Sequence, residues 1–162
     1  MTLLTIAQNV ADEVGVDQPT VVAGSPDPTA QKLLRYINKT GTGLMKKLAW
    51  QVLRKERAFT SISGETQTAI LPSDFDRFIP ETFWNRSTPV LMSGPVSAVQ
   101  WQGLKATTYT GKPKFAYRGG DVLVIPALGA GDSLAFEYVS NQWCQSTGAV
   151  AQSAFAADTD TG

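Results

Sequence analysis

The sequence contains no histidine, and its 162 residues include a single cysteine, Cys144. Without histidine there is no Ser-His-Asp or Cys-His nucleophile system and no histidine-based metal site. One cysteine builds neither a zinc cluster nor an internal disulfide framework, which suggests a reducing, cytosolic origin and an inert thiol. No apolar run approaches the roughly eighteen residues that cross a membrane, so no membrane partner is expected. The opening MTLLTIAQNVADEV has no basic segment ahead of its apolar residues, unlike a secretory signal. Formal net charge is zero, which argues against a free-standing DNA binder relying on overall positive charge. Any catalysis would have to rest on carboxylates, lysines or tyrosines, and no cofactor is expected.

What is present reads as a globular chain, since 43% of the residues are hydrophobic and wholesale disorder needs far fewer. Charge is placed unevenly. Residues 1–31 carry four acids (Asp12, Glu13, Asp17, Asp27) and no base. Residues 32–57 carry eight bases, among them Lys46, Lys47 and Arg54, against the single acid Glu56. Such a segment is either a solvated helix face pairing with neighbouring helices or a docking surface for an acidic partner or phosphate backbone.

The apolar spacing predicts a first helix through Leu3, Ile6, Ala7, Val10 and Val14, stopped by Gly15. A second helix starts with Asp27 as its cap and Pro28 in the first turn. It continues through Leu33, Leu34, Ile37, Leu44, Met45 and Leu48, weakened but not divided by the glycines of TGTG (Thr40–Gly43). After Trp50 the pattern changes to short segments rich in aromatic and β-branched residues: RAFTSI, TQTAILP, DRFIPETFW, PKFAYR, DVLVIPA and SLAFEYVS. ISGETQ and YRGGDV have hairpin character. SAVQWQGLKA (Ser97–Ala106) predicts one inserted short helix behind a serine cap. The fold class is therefore α+β: a helical part over residues 1–50, then an antiparallel β-sandwich or barrel-like domain over 51–145. Residues 146–162, small, polar and alanine-rich, predict an extended arm or linker.

Candidate chemistry is sparse. Asp74 and Asp76, with Glu81 nearby, are the nearest approach to a carboxylate cluster, and a glycosidase-like hydrolase would need two of them facing across a cleft. The alternative is a turn in which Pro72 directs the chain and Ser73 and Asp74 accept backbone hydrogen bonds. Trp84, Trp101, Phe115, Tyr117, Phe136, Tyr138 and Trp143 suit core packing, though Trp101 and Trp143 would also serve a carbohydrate- or ligand-binding β-sandwich module. The glycine-bearing loops at 119–120 and 127–133 match no phosphate-binding pattern.

The stretches AWQVLRKERAFTSISGE (Ala49–Glu65), ILPSDFDRFIPETFWNR (Ile70–Arg86) and PALGAGDSLAFEYVSNQW (Pro126–Trp143), in that order and spacing, resemble head–tail adaptors of short-tailed bacteriophages, the tail tubular protein A type of head completion protein. The resemblance spans nearly the whole chain. It implies a structural virion protein with no enzymatic activity, forming a ring, usually dodecameric, beneath the portal. Its implied partners are the portal protein, the tail nozzle and tail fibres, other copies of itself, and genomic DNA that passes through the channel without sequence-specific binding. The implied location is the head–tail junction, after synthesis in the host bacterial cytoplasm. Family members commonly continue past a DTDT-like stretch into C-terminal helices, so the resemblance implies either truncation or a naturally shorter form here, in both cases with N-terminal helices lacking an intramolecular partner. In that setting Leu71 closes a strand, Phe78 and Ile79 start the next, and Phe83 and Trp84 anchor the sheet. Asp74, Asp76 and Arg77 are expected near the surface as ring-interface residues. Lys46, Lys47 and Arg54 are expected to face protein or solvent, because a densely basic bore would retain DNA.

Overall fold

A helix leaves its first amide N–H groups without intrahelical partners, and this chain answers that need in two ways. Helix α1 (Leu3–Val14) is capped by the Thr2 hydroxyl, which accepts from the Thr5 amide at 3.3 Å. It ends at Gly15, in the left-handed conformation that ends helices most easily at glycine (φ 73°). Helix α2 (Pro28–Lys47) starts at Asp27, whose carboxylate accepts from the amides of Thr29 (3.2 Å) and Ala30 (3.0 Å). It runs unbroken through Thr40–Gly43. The computed structural model describes residues 1–47 and 50–162; Leu48, expected on the apolar stripe of α2, lies outside them.

The two glycines of α2 differ. A Cβ on Gly41 would overlap the indole of Trp143, whereas a Cβ on Gly43 meets nothing within 4 Å. Gly41 therefore lets Trp143 pack against the helix backbone, and Gly43 has no such reason to be glycine. Gly43→Ala is expected to stabilise the helix by about 0.5–1 kcal/mol. Gly41→Ala gains the same propensity but overpacks the Trp143 contact at about 1–3 kcal/mol, giving a net loss. Urea titrations of the two variants against the parent check the opposite signs.

The chain divides into two units, Met1–Leu53 with Asn141–Gly162, and Arg54–Ser140. In the first, Leu3 and Ala7 of α1, Val22 and the returning residues Cys144 and Phe155 form a buried cluster. Leu34 and Ile37 of α2 pack against it, as does Trp143, which meets Phe155 edge-on at 5.0 Å. Val14 is 68% exposed, because the stripe outruns its cover at the end of α1.

Residues 146–162 are not an extended arm. They fold back as part of the helical unit and give it the intramolecular partner that the sequence reading denied it. The carbonyl oxygens of Asp160 and Asp158 accept from the amides of Leu3 (2.9 Å) and Leu4 (3.2 Å), the open N–H groups of α1. The Asp158 carboxylate holds the Val22 and Ala23 amides at 3.1 and 2.7 Å. The buried Asp160 carboxylate accepts from Ala156 (2.7 Å) and Ala157 (2.8 Å). Thr161 and Gln145 exchange backbone hydrogen bonds at 2.7 and 2.8 Å. Composition suggested that the segment buries too little to order itself. It orders because its backbone carbonyls complete hydrogen bonds that α1 leaves open, while its two carboxylates tie down the connector and the segment itself.

The second unit is antiparallel. Strand β1 (Arg54–Thr60) pairs along its whole length with the long strand β8 (Ser133–Ser140), which also pairs with β3 (Phe75–Phe78) and β4 (Trp84–Asn85); β4 in turn pairs with β5 (Val90–Leu91). A second sheet has the order β2 (Gly64–Gln67), β7 (Asp121–Leu128), β6 (Lys114–Arg118). Alternate residues of the two sheets, Val122 and Val124 of β7 against Leu134, Phe136 and Tyr138 of β8, share one core with Phe78, Phe83, Met92 and Phe115. Its rings meet tilted or edge-to-face, as Phe78–Phe136 (4.9 Å) and Phe83–Phe115 (4.8 Å) do. The architecture is α+β with two sheets over a common core and no closed barrel.

YRGGDV makes the expected hairpin between β6 and β7, with Gly119 and Gly120 at φ 59° and 103°. Helix α3 (Ala98–Lys105) has the expected serine cap, and Ser97 and Gln100 form a full capping box. ISGETQ is not a hairpin, because β1 and β2 enter different sheets. The buried Gln67 side chain bonds the amide and carbonyl of Ile62 and the carbonyl of Gly64, gathering the loop so that the chain changes sheet. β2 stops at Gln67, so Leu71 closes no strand. β3 stops at Phe78, so Ile79 starts none, although its amide still bonds Glu137. Phe83 is buried, while Trp84, on the opposite face of the short β4, is 42% exposed and is no core anchor.

Candidate partner-binding surface

Four of the exposed large apolar side chains of the first unit gather around one groove. Ile6 and Val10 of α1, Ile37, Gly41 and Met45 of α2, Trp143 and Phe155 contribute to a cavity of about 530 Å³. Its lip is formed by Tyr36 (66% exposed), Leu44 (50%), Trp50 (44%) and Val52 (84%). A chain does not leave four such side chains together in water without cost, and surfaces of this kind mark places where another macromolecule packs. The floor is held by packing: among the described residues, the buried Trp143 Nε1 has no hydrogen-bond partner.

The other face of α2 is charged with one sign. At 3.6 residues per turn, Lys32, Arg35, Lys39 and Lys46 fall within about 60° of one another, away from Gly41. Lys47 lies beside the lip, three residues on from Leu44. All five are exposed, and α2 contains no acid. Lys46 and Lys47 occupy the last turn, where they also favour the negative end of the helix dipole. Arg54 is exposed at the start of β1, whose charged residues Arg54–Arg57 protect a sheet edge from adventitious pairing.

Asp74, expected near the surface, is buried. Its carboxylate accepts from Lys55 Nζ (2.6 Å), the Ser140 hydroxyl (2.8 Å) and the Tyr138 hydroxyl (3.1 Å). The reason is register: β3 pairs with β8 through Phe75–Ser140 and Phe78–Tyr138, which brings the turn before β3 against the end of β8. Burial alone would raise the Asp74 pKa. The hydrogen bonds from Lys55, Ser140 and Tyr138, with the Lys55 charge, outweigh it and hold the carboxyl below its ordinary value. Tyr138 is pushed up to about 12, first by burial and then by its bond to the anionic Asp74. Asp76 forms an ion pair with Arg77 at 2.7 Å, both half-buried, and Glu81 is exposed.

This arrangement opposes general-acid chemistry at Asp74, because a general acid needs a raised pKa and Asp74 has a lowered one. Among the described residues no group of three or more histidines, cysteines or acids is placed to hold a metal ion, and no helix is long and apolar enough to cross a membrane. The tryptophans offered for a carbohydrate groove are used otherwise: Trp101 is buried, and Trp143 packs on Gly41 and Phe155. Cys144 is buried, and burial with the nearby Asp160 charge pushes its thiol up to about 11, as suits an inert group. Sequence reasoning missed Tyr36, Trp50 and Val52 as functional surface. Their signal was apolar residues off the stripe of α2 and in or next to the short 3-10 helix Gln51–Leu53.

An exposed apolar groove beside a one-signed helix face is the kind of surface on which another macromolecule packs. The chain belongs to the SU10 adaptor protein family, whose model matches residues 1–156, and it is thereby a phage adaptor protein. A search of curated proteins found no match.

Proposed function

We propose that the chain forms a ring beneath the portal of a short-tailed phage and joins it to the tail nozzle, with tail fibres attached nearby. The ring's inner wall continues the channel, and DNA passes it without sequence-specific contact. The observation that carries this reading is the groove lipped by Tyr36, Leu44, Trp50 and Val52: an apolar surface left open in the single chain, in a family of adaptors. Asp76 and Arg77 on the β unit, and Lys46, Lys47 and Arg54, are proposed to face neighbouring protein. Asp74 supports that surface from below through Lys55, Ser140 and Tyr138. The bore is expected to be poor in base, because each neutralised phosphate adds salt-dependent retention.

Mass measurement with and without purified portal rings tests the proposal. A portal-bound ring of many copies is the expected product. A chain that stays monomeric over portal at micromolar concentration would show that its partner lies elsewhere.

A further inference from the structure

The charges of the first unit are sorted by element. α1 and the connector after it hold Asp12, Glu13, Asp17 and Asp27 without a base, and α2 holds five bases without an acid. Opposite charges within one unit are available to pair. Among the described residues, no ion pair joins the two sets. The pairs that do form, such as Lys55–Asp74 and Arg86–Glu56, belong to the β unit. Asp12 is taken by the Gln18 side-chain amide at 2.7 and 2.8 Å, whereas Glu13 and Asp17 point charge into solvent from exposed positions.

Each charged set also borders exposed apolar surface. Glu13 and Asp17 flank Val14 and Val16, both exposed. On α2, Lys39 is three residues on from Tyr36 and Lys47 three on from Leu44, the spacing at which helix side chains are neighbours. One unit therefore carries two surfaces of the same build and opposite charge. That is the requirement of a heterologous, head-to-tail contact, which closes into a ring when the rotation allows.

We propose that the groove of each copy is covered by the end of α1 from a second copy. Val14 and Val16 pack against Leu44 and Trp50, and Glu13 and Asp17 face Lys39 and Lys47. The apolar contact supplies affinity, and the rim charges select partner and orientation. The inference deepens the adaptor reading and rests on it. A second copy is favoured over a foreign partner because the complement, in charge and in apolar character, is already on the chain.

Two double variants test it: Glu13→Lys with Asp17→Lys, and Lys39→Glu with Lys47→Glu. All four positions are exposed, so each variant should melt with the parent. Neutral versions (Glu13→Gln with Asp17→Asn, and Lys39→Gln with Lys47→Gln) stand in for any that does not. Association is read by sedimentation and native mass, alone and with portal rings. Each reversed variant alone should associate at least about tenfold more weakly than the parent, and an equal mixture should recover association. It recovers because the reversed end of one copy meets the reversed groove of the other; for the neutral pair, weakening alone is expected. Reversed variants that associate like the parent, or a mixture that stays apart, overturn the inference while leaving the adaptor reading intact. Loss of portal binding by the groove variant alone assigns the groove to the portal and overturns it too. A parent that never assembles, even on portal, removes both.

Discussion

Removing residues 156–162 is expected to unfold the helical unit. An arm could be cut away without consequence, but this segment supplies acceptors for the Leu3 and Leu4 amides, holds Val22 and Ala23 through Asp158, and pairs with Gln145 through Thr161. Hydrogen bonds to a carboxylate contribute about 1.5–3 kcal/mol and neutral ones about 1 kcal/mol. The loss is therefore at least about 5 kcal/mol, which is comparable to the whole stability of many small domains. Amide exchange should show protection lost in α1 and α2 and kept in β7 and β8. Retained protection in α1 would return the segment to the status of a linker. Asp160→Ala should give a graded version, because it removes the buried acceptor of the Ala156 and Ala157 amides.

Asp74→Ala is the second large effect, expected to destabilise the β unit by about 2–4 kcal/mol. The substitution removes the acceptor shared by the Tyr138 hydroxyl, the Ser140 hydroxyl and Lys55 Nζ. Lys55 is 42% exposed, so water can take over part of its share, which keeps the loss under that of a fully enclosed pair. Asp74→Asn keeps the shape and should lose about half as much. The pH dependence has a definite sign. The folded carboxyl binds its proton less tightly than the ordinary 3.8 of the unfolded chain, so its contribution is present above that value. It is lost as pH falls through the lower folded value. Urea midpoints for parent and Asp74→Asn should therefore converge on acidification from pH 5 to pH 2. Parallel curves would mean that the carboxylate charge contributes little.

The legible parts of this chain were those in which cause and effect lie within a few residues. Asp27 and Pro28 start α2, Gly15 stops α1, Ser97 caps α3, and Gly119-Gly120 turns β6 into β7. Each can be read from a short window, because a cap or a tight turn is satisfied locally. The candidate site was less legible. Its basic side stood out as charge, but the groove depends on Gly41 admitting Trp143 from a hundred residues away. Asp74 misled for a related reason. A turn-forming aspartate is usually exposed, and only pairing of β3 with β8 places Tyr138 and Ser140 above it. The β1–β2 loop misled because hairpin residues give no sign of which sheet the next strand will join.

Sequence by itself determined the helix ends, the strand periodicity, the lack of histidine-based chemistry and the segregation of acid from base, since all of these are properties of neighbours along the chain. Only the tertiary structure decided that the last residues clasp the first helix, that Asp74 is a buried anchor, and that the apolar groove stays open. Those outcomes turn on which distant groups meet, and a hydrogen bond or a packed ring has no strength until its partner arrives.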